Sequence, residues 1–474
     1  MGTKLIQKEQ NFTYFFLLFI ALQPVLDLLT SLSIQMLHMD ATLSIVVRFS
    51  VMLLAMIYLF IYQKNKKPLV YICLLGVIMA AGLLNNLVVK HPISFGEEVK
   101  FMAKCMYPIV MLFGYILVFK TLQGKQNSYD TLLQYFLYAS LFMSIIMVIS
   151  IATGTDYQSY TISEISKIGS KGWFYAANEI SAILAITFPV VVLYSIHKTT
   201  SFTQAYYWLP TILALYSSIM IGTKVGYISS IVTLGVALFF SFIEYMMKRG
   251  RPQLINTILA LLVLGGTAIA TPFTPIAKNM DIHLQFYNKQ HVNKQAEQPS
   301  KQEQQPSKQE QQPSKQEQQP SKQEQQPSKQ EERALTTGEV NSLIYSDRDQ
   351  FLNMHQKYFQ EAPLSQKLLG MGYAGNYEKA PKVIEMDFHD LFFSFGIIGF
   401  ILYLLPFVYF GIRLMFRILT NFKSILTIKY MLLGTTIVLA IGIAFTAGHV
   451  FTAPAVSIFF VALLAYLIVD LQAE

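Results

Sequence analysis

Three residues with reactive or ion-binding side chains stand at the edges of apolar segments from the middle of the chain onwards. Lys224 lies in a Gly-Thr-Lys turn between two apolar runs, and Arg348 begins a stretch with apolar residues at helical spacing. His389 directly precedes a long apolar run. Arginine can clamp an oxyanion through two parallel hydrogen bonds, lysine supplies a compact charge, and histidine exchanges a proton near neutral pH.

Each of the three also has an ordinary structural interpretation. Arg348 could pair with Asp347 or Asp349 at the start of a helix. Lys224 could be a turn lysine at the water boundary, and His389 could be a polar anchor at a membrane interface. Residue type alone therefore leaves both interpretations open for each position.

A second group of polar residues lies where the chain enters or leaves other apolar runs. Lys100 and Lys104 precede one run and could add to an anion site. Asn178 and Glu179 follow aromatic residues in GWFYAANEISAI and could bind a sugar or a lipid headgroup, or form hydrogen bonds between helices. His449, in TAGHVFTAP, competes with His389 for the role of proton acceptor.

Composition limits the class of protein that these residues serve. The chain of 474 residues is 53% hydrophobic and 14% charged, with a mean hydropathy of +0.42. Soluble domains carry about 25% charged residues, and a bilayer-spanning helix needs about 20 apolar residues in succession. We therefore expect an all-α polytopic membrane protein, with Cys73 and Cys105 as packing residues and no nucleic-acid partner.

Apolar runs predict about twelve transmembrane helices. Their approximate limits are 13–34, 43–62, 70–89, 104–120, 131–152, 175–196, 206–221, 225–244, 254–271, 390–412, 428–447 and 450–470. The first run is too long for a cleavable signal peptide and is interpreted as the first span. Asp27 and Arg48 fall inside the first two spans, where an isolated charge is costly.

The distribution of lysine and arginine predicts the orientation. One set of alternate loops is rich in these residues, including Lys64, Lys66, Lys67, Lys120, Lys198, Lys248, Arg249, Arg251, Arg413, Arg417 and Lys429. The other short loops hold fewer, and several of those lie beside acids. Because cytoplasmic loops are enriched in basic residues, both termini are predicted to be cytoplasmic and the long loop between spans nine and ten extracytoplasmic.

The long loop divides the chain into three predicted regions. Residues 1–271 form an N-terminal membrane region, 272–389 the external loop, and 390–474 a C-terminal membrane region. Residues 298–332 repeat the heptad QPSKQEQ, with Glu332 in place of the last Gln. A proline in each copy and the lack of apolar positions argue against a coiled coil, so the repeat is predicted to be a disordered spacer, with a wall-threading or glycan-binding tether as the alternative.

Beyond the repeat, the sequence predicts ordered elements that would position Arg348 and His389. Residues 347–359 have the apolar spacing of an amphipathic helix. Glycines in LLGMGYAGNY, at 368–377, indicate tight turns and close backbone approach. Gly396 and Gly399 are predicted to allow close packing of the span that follows His389.

Three segments in this order resemble the O-antigen ligase / O-antigen polymerase superfamily of bacterial membrane glycosyltransferases. They are IGTKVGYISSIVTL at 221–234, DRDQFLNMHQKYFQEAPLSQKLLGMGYAG at 347–375, and DFHDLFFSFGIIGFILYL at 387–404. The many spans and the single large external loop late in the chain are also similar. The family usually has arginine where this chain has Lys224.

The resemblance implies transfer of a glycan from a polyprenyl diphosphate carrier to an acceptor hydroxyl on the outer face of the cell membrane, without a metal or other cofactor. By the same resemblance, Arg348 and Lys224 would bind the diphosphate and His389 would act as the general base. A transporter or exporter of polysaccharide or carrier lipid is the alternative, and a peptidoglycan polymerase with an external aspartate as base is a further one. Polymerase and ligase share a donor class, so both remain open.

Overall fold

The computed structural model is almost entirely α-helical and describes residues 2–38, 43–123, 128–161, 167–282, 284 and 348–473. Its α-helices, in chain order, are α1 (Gly2–Ala21), α2 (Gln23–Gln35), α3 (Leu43–Tyr62), α4 (Lys67–Val89), α5 (Phe95–Leu122), α6 (Ser128–Ala152), α7 (Ala177–Lys198), α8 (Leu209–Ile221), α9 (Lys224–Lys248), α10 (Arg251–Ala270), α11 (Arg348–Glu361), α12 (Leu364–Leu369), α13 (Asp387–Thr420), α14 (Phe422–Ile425), α15 (Ile428–Thr446) and α16 (Pro454–Ala473). Short 3-10 helices cover Phe202–Trp208 and Thr271–Phe273, and residues 275–282 are also helical. The repeat at 298–332 and much of the predicted external loop lie outside the described residues.

Ten helices of the described ranges are long and apolar enough to cross a membrane: α3 to α7, α9, α10, α13, α15 and α16. Helices α1 and α2 pass the same test as a pair that is bent by 53°, which raises the number to eleven. Pro24 in the first turn of α2 lacks a backbone N–H, which explains a break at this point. The predicted polytopic all-α membrane protein is therefore confirmed.

The predicted seventh span, 206–221, is where the count of twelve is not confirmed. Helix α8 has 13 residues and covers about 20 Å, less than the roughly 30 Å of a bilayer's hydrocarbon core. Pro210 in its first turn and Gly222 in the left-handed conformation (φ 76°) define its two ends. The 3-10 helix Phe202–Trp208 leads directly into it.

Three helices form the centre of the bundle. Helices α5, α7 and α16 are the most buried of the candidate spans, and α16 packs along α5. Helix α7 contacts α6, α8, α9 and α15. Both α7 and α16 are apolar on all sides, as expected for helices that are surrounded by others.

A two-stranded hairpin interrupts the helical pattern between α6 and α7. Strands β1 (Gln158–Thr161) and β2 (Lys167–Ser170) are antiparallel, with Tyr160 opposite Ile168. Gly169 packs so closely on the carbonyl of Ile221 that no side chain would fit there. The hairpin therefore lies at the end of the bundle where α8 turns into α9. The sequence analysis predicted no strand in this segment.

Helix α13 has a break that lets a loop approach it. Gly396, at φ 64° and ψ −173°, packs against the end of α12 and Gly370 with no room for a Cβ. The backbone N–H of Met371 donates to the carbonyl of Phe393 (2.9 Å), and that of Gly372 to Ser394 (3.1 Å). The predicted close approach at Gly396 is confirmed, with the end of α12 and the following loop as its partner.

Candidate functional site

The first residue of α13 holds a loop that connects α15 to α16. The Asp387 carboxylate accepts hydrogen bonds from the backbone N–H groups of His449 (3.0 Å), Val450 (2.6 Å) and Phe451 (2.8 Å), and from Oγ1 of Thr452 (2.7 Å). Asp387 is fully buried, and four donors around one carboxylate compensate for its lost hydration. The loop that carries His449 is therefore fixed to the start of α13.

The second acid of the DFHD stretch holds the backbone that leads into the same helix. Asp390 accepts hydrogen bonds from the N–H groups of Ile384 (2.9 Å) and Met386 (3.1 Å). A carboxylate in the first turn that reaches back in this way satisfies donors that the helix leaves unpaired. Both acids beside His389 thus accept hydrogen bonds from backbone N–H groups.

The two predicted histidines lie on the two segments that Asp387 joins, His389 in the first turn of α13 and His449 in the loop that Asp387 binds. His389 is half-buried, its Nδ1 has no hydrogen-bond partner among the described residues, and its ring lies 6.0 Å from that of Phe445. His449 adopts a left-handed conformation (φ 70°), and its Nε2 likewise has no partner in the described part of the chain. Each side chain therefore has a buried ring nitrogen that no described residue satisfies.

Arg348 lies just outside this frame. Its Nη2 is 3.3 Å from Oε2 of Glu385, and Nζ of Lys382 is 3.4 Å from the other carboxylate oxygen. Glu385 has φ 64°, an uncommon conformation for a residue with a side chain. The structure thus gives Arg348 an ion-pair partner other than Asp349, while Asp347, its predicted alternative, lies outside the described residues.

Lys224 is the first residue of α9, where the helix dipole disfavours a cation. The cap of this helix is Thr223, whose Oγ1 accepts a hydrogen bond from the N–H of Gly226 (3.2 Å). A lysine at this position does not stabilise the start of its own helix, so helix stability does not explain why the residue is a lysine. The position at the helix start therefore fits both an anion-binding lysine and a turn lysine at the water boundary.

The hairpin links the surroundings of Lys224 and Arg348. Strand β2 packs through Gly169 on Ile221, just before Lys224. On strand β1, burial raises the pKa of Tyr160, the charge of Arg348 opposes that shift, and the charge of Glu385 adds to it. The structure therefore gathers Lys224, Arg348 and both histidines at one end of the bundle, around the hairpin and the loop held by Asp387.

The glycine-rich loop after α12 is held by residues from distant helices. Nδ2 of Asn86 donates to the carbonyl of Gly370 (3.1 Å), and Nε2 of Gln366 donates to Oδ1 of Asn86 (2.9 Å). Gly370, Gly372 and Gly375 all have positive φ, so the predicted tight turns are confirmed. The sequence analysis missed Asn86 as the partner, because nothing in its neighbourhood signals a contact so far along the chain.

A buried ion pair completes the hold on this loop. Nζ of Lys90 donates to Oε1 of Glu98 (2.6 Å) and to the carbonyl of Tyr373 (2.7 Å), while Oε2 of Glu98 accepts the N–H of Tyr373 (2.8 Å). Gly372 packs directly on the Glu98 carboxylate, with no room for a Cβ. Burial lowers the pKa of Lys90, and the charge of Glu98 opposes that shift.

His355 is a further residue that the sequence analysis missed. It is only 2% exposed, and its Nδ1 lies 2.9 Å from the carbonyl of Phe351. Burial lowers its pKa. Its position four residues after Phe351 on the apolar side of the helix was a signal for this structural role.

The secondary candidates Lys100, Lys104 and Glu179 line one cavity of about 310 Å³. Asp27 and Arg48 also line the cavity, and Nη2 of Arg48 lies 2.6 Å from Oδ1 of Asp27 in an ion pair. Asn178 is not part of its lining. The sequence named these residues but gave no sign that five charged side chains from four helices share one space.

The first turn of α7 separates this cavity from Lys224. Glu179 faces the cavity, whereas the hydroxyl of Ser181 bonds that of Thr223, next to Lys224. Residues two apart on a helix point to opposite sides. The structure therefore does not bring Lys100 and Lys104 together with Lys224, but places them on two sides of one helix end.

A comparison with known proteins identifies the family of this chain. Residues 9–474 match the family model described as O-antigen ligase like membrane protein. The comparisons with curated proteins and with solved structures found no match. The match includes every segment on which the resemblance was based, and family members of this kind are membrane glycosyltransferase-like enzymes. The chain belongs to the O-antigen ligase-like family of membrane proteins.

Proposed function

We propose that this protein transfers a glycan from a polyprenyl diphosphate carrier to an acceptor hydroxyl at the outer face of the membrane. The observation that carries the proposal is the gathering of Arg348, Lys224, His389 and His449 at one end of the bundle. Cations suit the diphosphate of the donor, and a histidine ring nitrogen that has no hydrogen-bond partner among the described residues suits the acceptor hydroxyl.

The outer face is proposed from the charges at the two ends of the bundle. Helix α7 runs from Glu179, at the cavity, to Lys198 at its other end. The Lys198 end matches the loops rich in lysine and arginine, so the positive-inside rule makes it cytoplasmic and the site extracytoplasmic.

Twelve crossings are consistent with this orientation if α8 and the preceding 3-10 helix act together as one. Nε1 of Trp208 donates to Oδ1 of Asn256 (3.3 Å), near the start of α10, whereas Gly222 lies against Gly169 at the other end. The 3-10 helix and α8 together would thus connect the two ends of the bundle. The division into 1–271, 272–389 and 390–474 follows from the same topology.

In the proposed reaction, the bond between the anomeric carbon of the donor and the diphosphate oxygen breaks. The polyprenyl diphosphate leaves with the electron pair, and its growing negative charge is stabilised by Arg348 and Lys224. The acceptor oxygen forms the new bond to the anomeric carbon, and its proton passes to His389. His449 is the second candidate for that proton, because it shares the Asp387 frame.

A transporter remains the second candidate function, because of the first two helices. The pair α1–α2 is bent by 53°, and the ion pair between Arg48 and Asp27 is buried close to that bend. Broken helices with charges at membrane depth are typical of transporters. A carrier-lipid exporter would use such features for translocation rather than for bond formation.

Purified full-length protein distinguishes the two functions. With a polyprenyl-diphosphate-linked donor, an acceptor glycan and excess EDTA in detergent, we expect a new glycosidic bond, detected by mass spectrometry of the product. In liposomes, movement of carrier-linked glycan across the bilayer with no new bond would replace this proposal by the transporter. In a deletion strain, single repeat units on the carrier would identify a polymerase, and long chains on the carrier a ligase.

A further inference from the structure

The cavity on the side of α7 that faces away from Lys224 is lined by more charged side chains than the packing of helices in a membrane requires. Its volume of about 310 Å³ lies at the lower end of the roughly 300–1,000 Å³ that small-molecule sites occupy. We propose that it binds an acidic sugar of the acceptor glycan, meaning one sugar ring with one carboxylate or phosphate substituent. This inference rests on the proposed function, since it locates the second substrate of that reaction.

The floor of the cavity is a built polar network. Arg48 donates from Nη2 to Oδ1 of Asp27 (2.6 Å) and from Nε to Oε1 of Gln23 (2.9 Å). Oδ2 of Asp27 is buried, and among the described residues it has no hydrogen-bond partner. A buried carboxylate oxygen without a donor is costly, so a ligand hydroxyl is the natural group to satisfy it.

The other charges stand on the walls. Lys100 pairs with Glu97 at 3.3 Å, whereas Lys104 takes part in no hydrogen bond or ion pair within the described ranges. Of the three cations that line the cavity, Arg48 pairs with Asp27 and Lys100 with Glu97. Lys104 is therefore the residue best suited to an acidic substituent of the ligand.

The mixture of charges favours a sugar over the donor diphosphate. Two carboxylates in one small cavity would repel the oxygens of a diphosphate, but they accept hydrogen bonds from sugar hydroxyls. The hydroxyls of Thr30 and Ser44 line the same space. The ring of Tyr175, which is 47% exposed, supplies an apolar face on which the C–H groups of a sugar can pack.

The cavity also lies in the right place for a second substrate. Ala453, Pro454 and Ala455 form part of its wall, and they directly follow the loop 449–452 that Asp387 fixes beside His389. A sugar in the cavity would thus lie beside the loop that carries His449. Donor and acceptor would approach the same proton acceptor from two faces of the α7 end.

A thiol-protection experiment tests the site without relying on activity. Ala176→Cys places a reporter on the cavity wall of the full-length protein, in a Cys73→Ser background, since Cys105 is buried. We expect D-glucuronate to slow labelling by a methanethiosulfonate reagent several-fold, D-glucose to slow it less, and inorganic pyrophosphate to leave it unchanged. Adding Lys104→Gln should remove the advantage of glucuronate over glucose.

The contrary results are equally specific. Protection by pyrophosphate but not by sugars would assign the cavity to the diphosphate, and equal labelling in all solutions would remove the proposal. Ile34→Cys is a second reporter on the wall if Ala176→Cys does not fold, and Asn65→Cys, exposed at the opposite end, is the control that no sugar should protect.

Kinetics separate this inference from the proposed function. Lys104→Gln should raise the KM for an acidic acceptor about tenfold, as loss of a charged hydrogen bond does, and leave the KM for the donor unchanged. Lys67→Gln, exposed at the other end of the bundle, is the matched control. A raised donor KM would place Lys104 in the donor site. Sugar protection in a wild-type protein that forms no glycosidic bond would instead retain the sugar site and reject the glycosyltransferase.

Discussion

The short polar stretch at the start of α13 combines two carboxylates that bind backbone with the histidine that lies between them. Asp387 and Asp390 both accept hydrogen bonds from backbone N–H groups. The donors to Asp387 lie in the distant loop before α16, and those to Asp390 lie just before α13. Because His389 lies between these two acids, its backbone position is fixed, while its ring nitrogens take no part in those hydrogen bonds. His389 can therefore be substituted without removing the hydrogen bonds that Asp387 and Asp390 accept.

His389→Ala should abolish most glycan transfer while the protein still inserts and accumulates. Loss of a general base costs about 10²–10⁴ in rate, and within the described ranges Nδ1 of His389 makes no hydrogen bond that holds the fold. The measurement is the initial rate of product formation by purified variants. His91→Ala, an exposed histidine elsewhere, is the control. A normal rate for His389→Ala together with a dead His449→Ala would transfer the role of base to His449.

The two cations should respond differently to conservative exchange. Arg348→Lys should lose most activity, because a point charge cannot replace two parallel hydrogen bonds to phosphate. Lys224→Arg should keep substantial activity, since it restores the residue that the family usually carries, whereas Lys224→Ala should be severe. Rates at saturating donor, with Lys379→Ala as an exposed control, measure this. Full activity of Lys224→Ala would show that its place at the helix start has no bearing on catalysis.

At the scale of elements, the glycine-rich loop depends on helices that the sequence separates widely from it. Hydrogen bonds from Asn86 and Lys90 cross 284 and 283 positions of the chain to reach it. The turns themselves could be predicted, because three glycines among aromatic residues allow few other conformations. The partners could not, because a lysine that ends one helix and a glutamate that begins the next look like ordinary charges at a membrane surface.

Lys90→Met should destabilise the protein by about 3–5 kcal/mol, since it leaves the Glu98 carboxylate buried without its cation. The two side chains are 1% and 6% exposed, so solvent does little to screen the pair. The midpoint of thermal unfolding in detergent measures the effect, and Lys248→Met, in a pair whose lysine is 58% exposed, should change it little. The double variant Lys90→Met/Glu98→Leu should recover part of the loss. Equal effects of Lys90→Met and Lys248→Met would show that the pair does not hold the loop.

At the scale of the whole molecule, hydropathy predicted the bundle well and its interior poorly. Long apolar runs favour membrane-spanning helices, and eleven of the twelve predicted spans correspond to a spanning helix or to the bent pair. The exception, at 206–221, is a run that proline and glycine shorten. Hydropathy does not indicate which helices are central, or that a hairpin in a polar connection would lie beside two segments with candidate site residues.

The orientation of the bundle decides whether the gathered residues can meet an external acceptor. We expect a thiol introduced by Ala380→Cys, in the exposed loop before α13, to react with a membrane-impermeant reagent on intact cells, while one introduced by Asn65→Cys reacts only after lysis. The reason is the excess of lysine beside Asn65, which the positive-inside rule assigns to the cytoplasm. Both variants belong in a Cys73→Ser background, because Cys73 is exposed and Cys105 is buried. Labelling of Asn65→Cys on intact cells would invert the topology and place Arg348 and His389 on the cytoplasmic side, where no extracytoplasmic glycan could reach them.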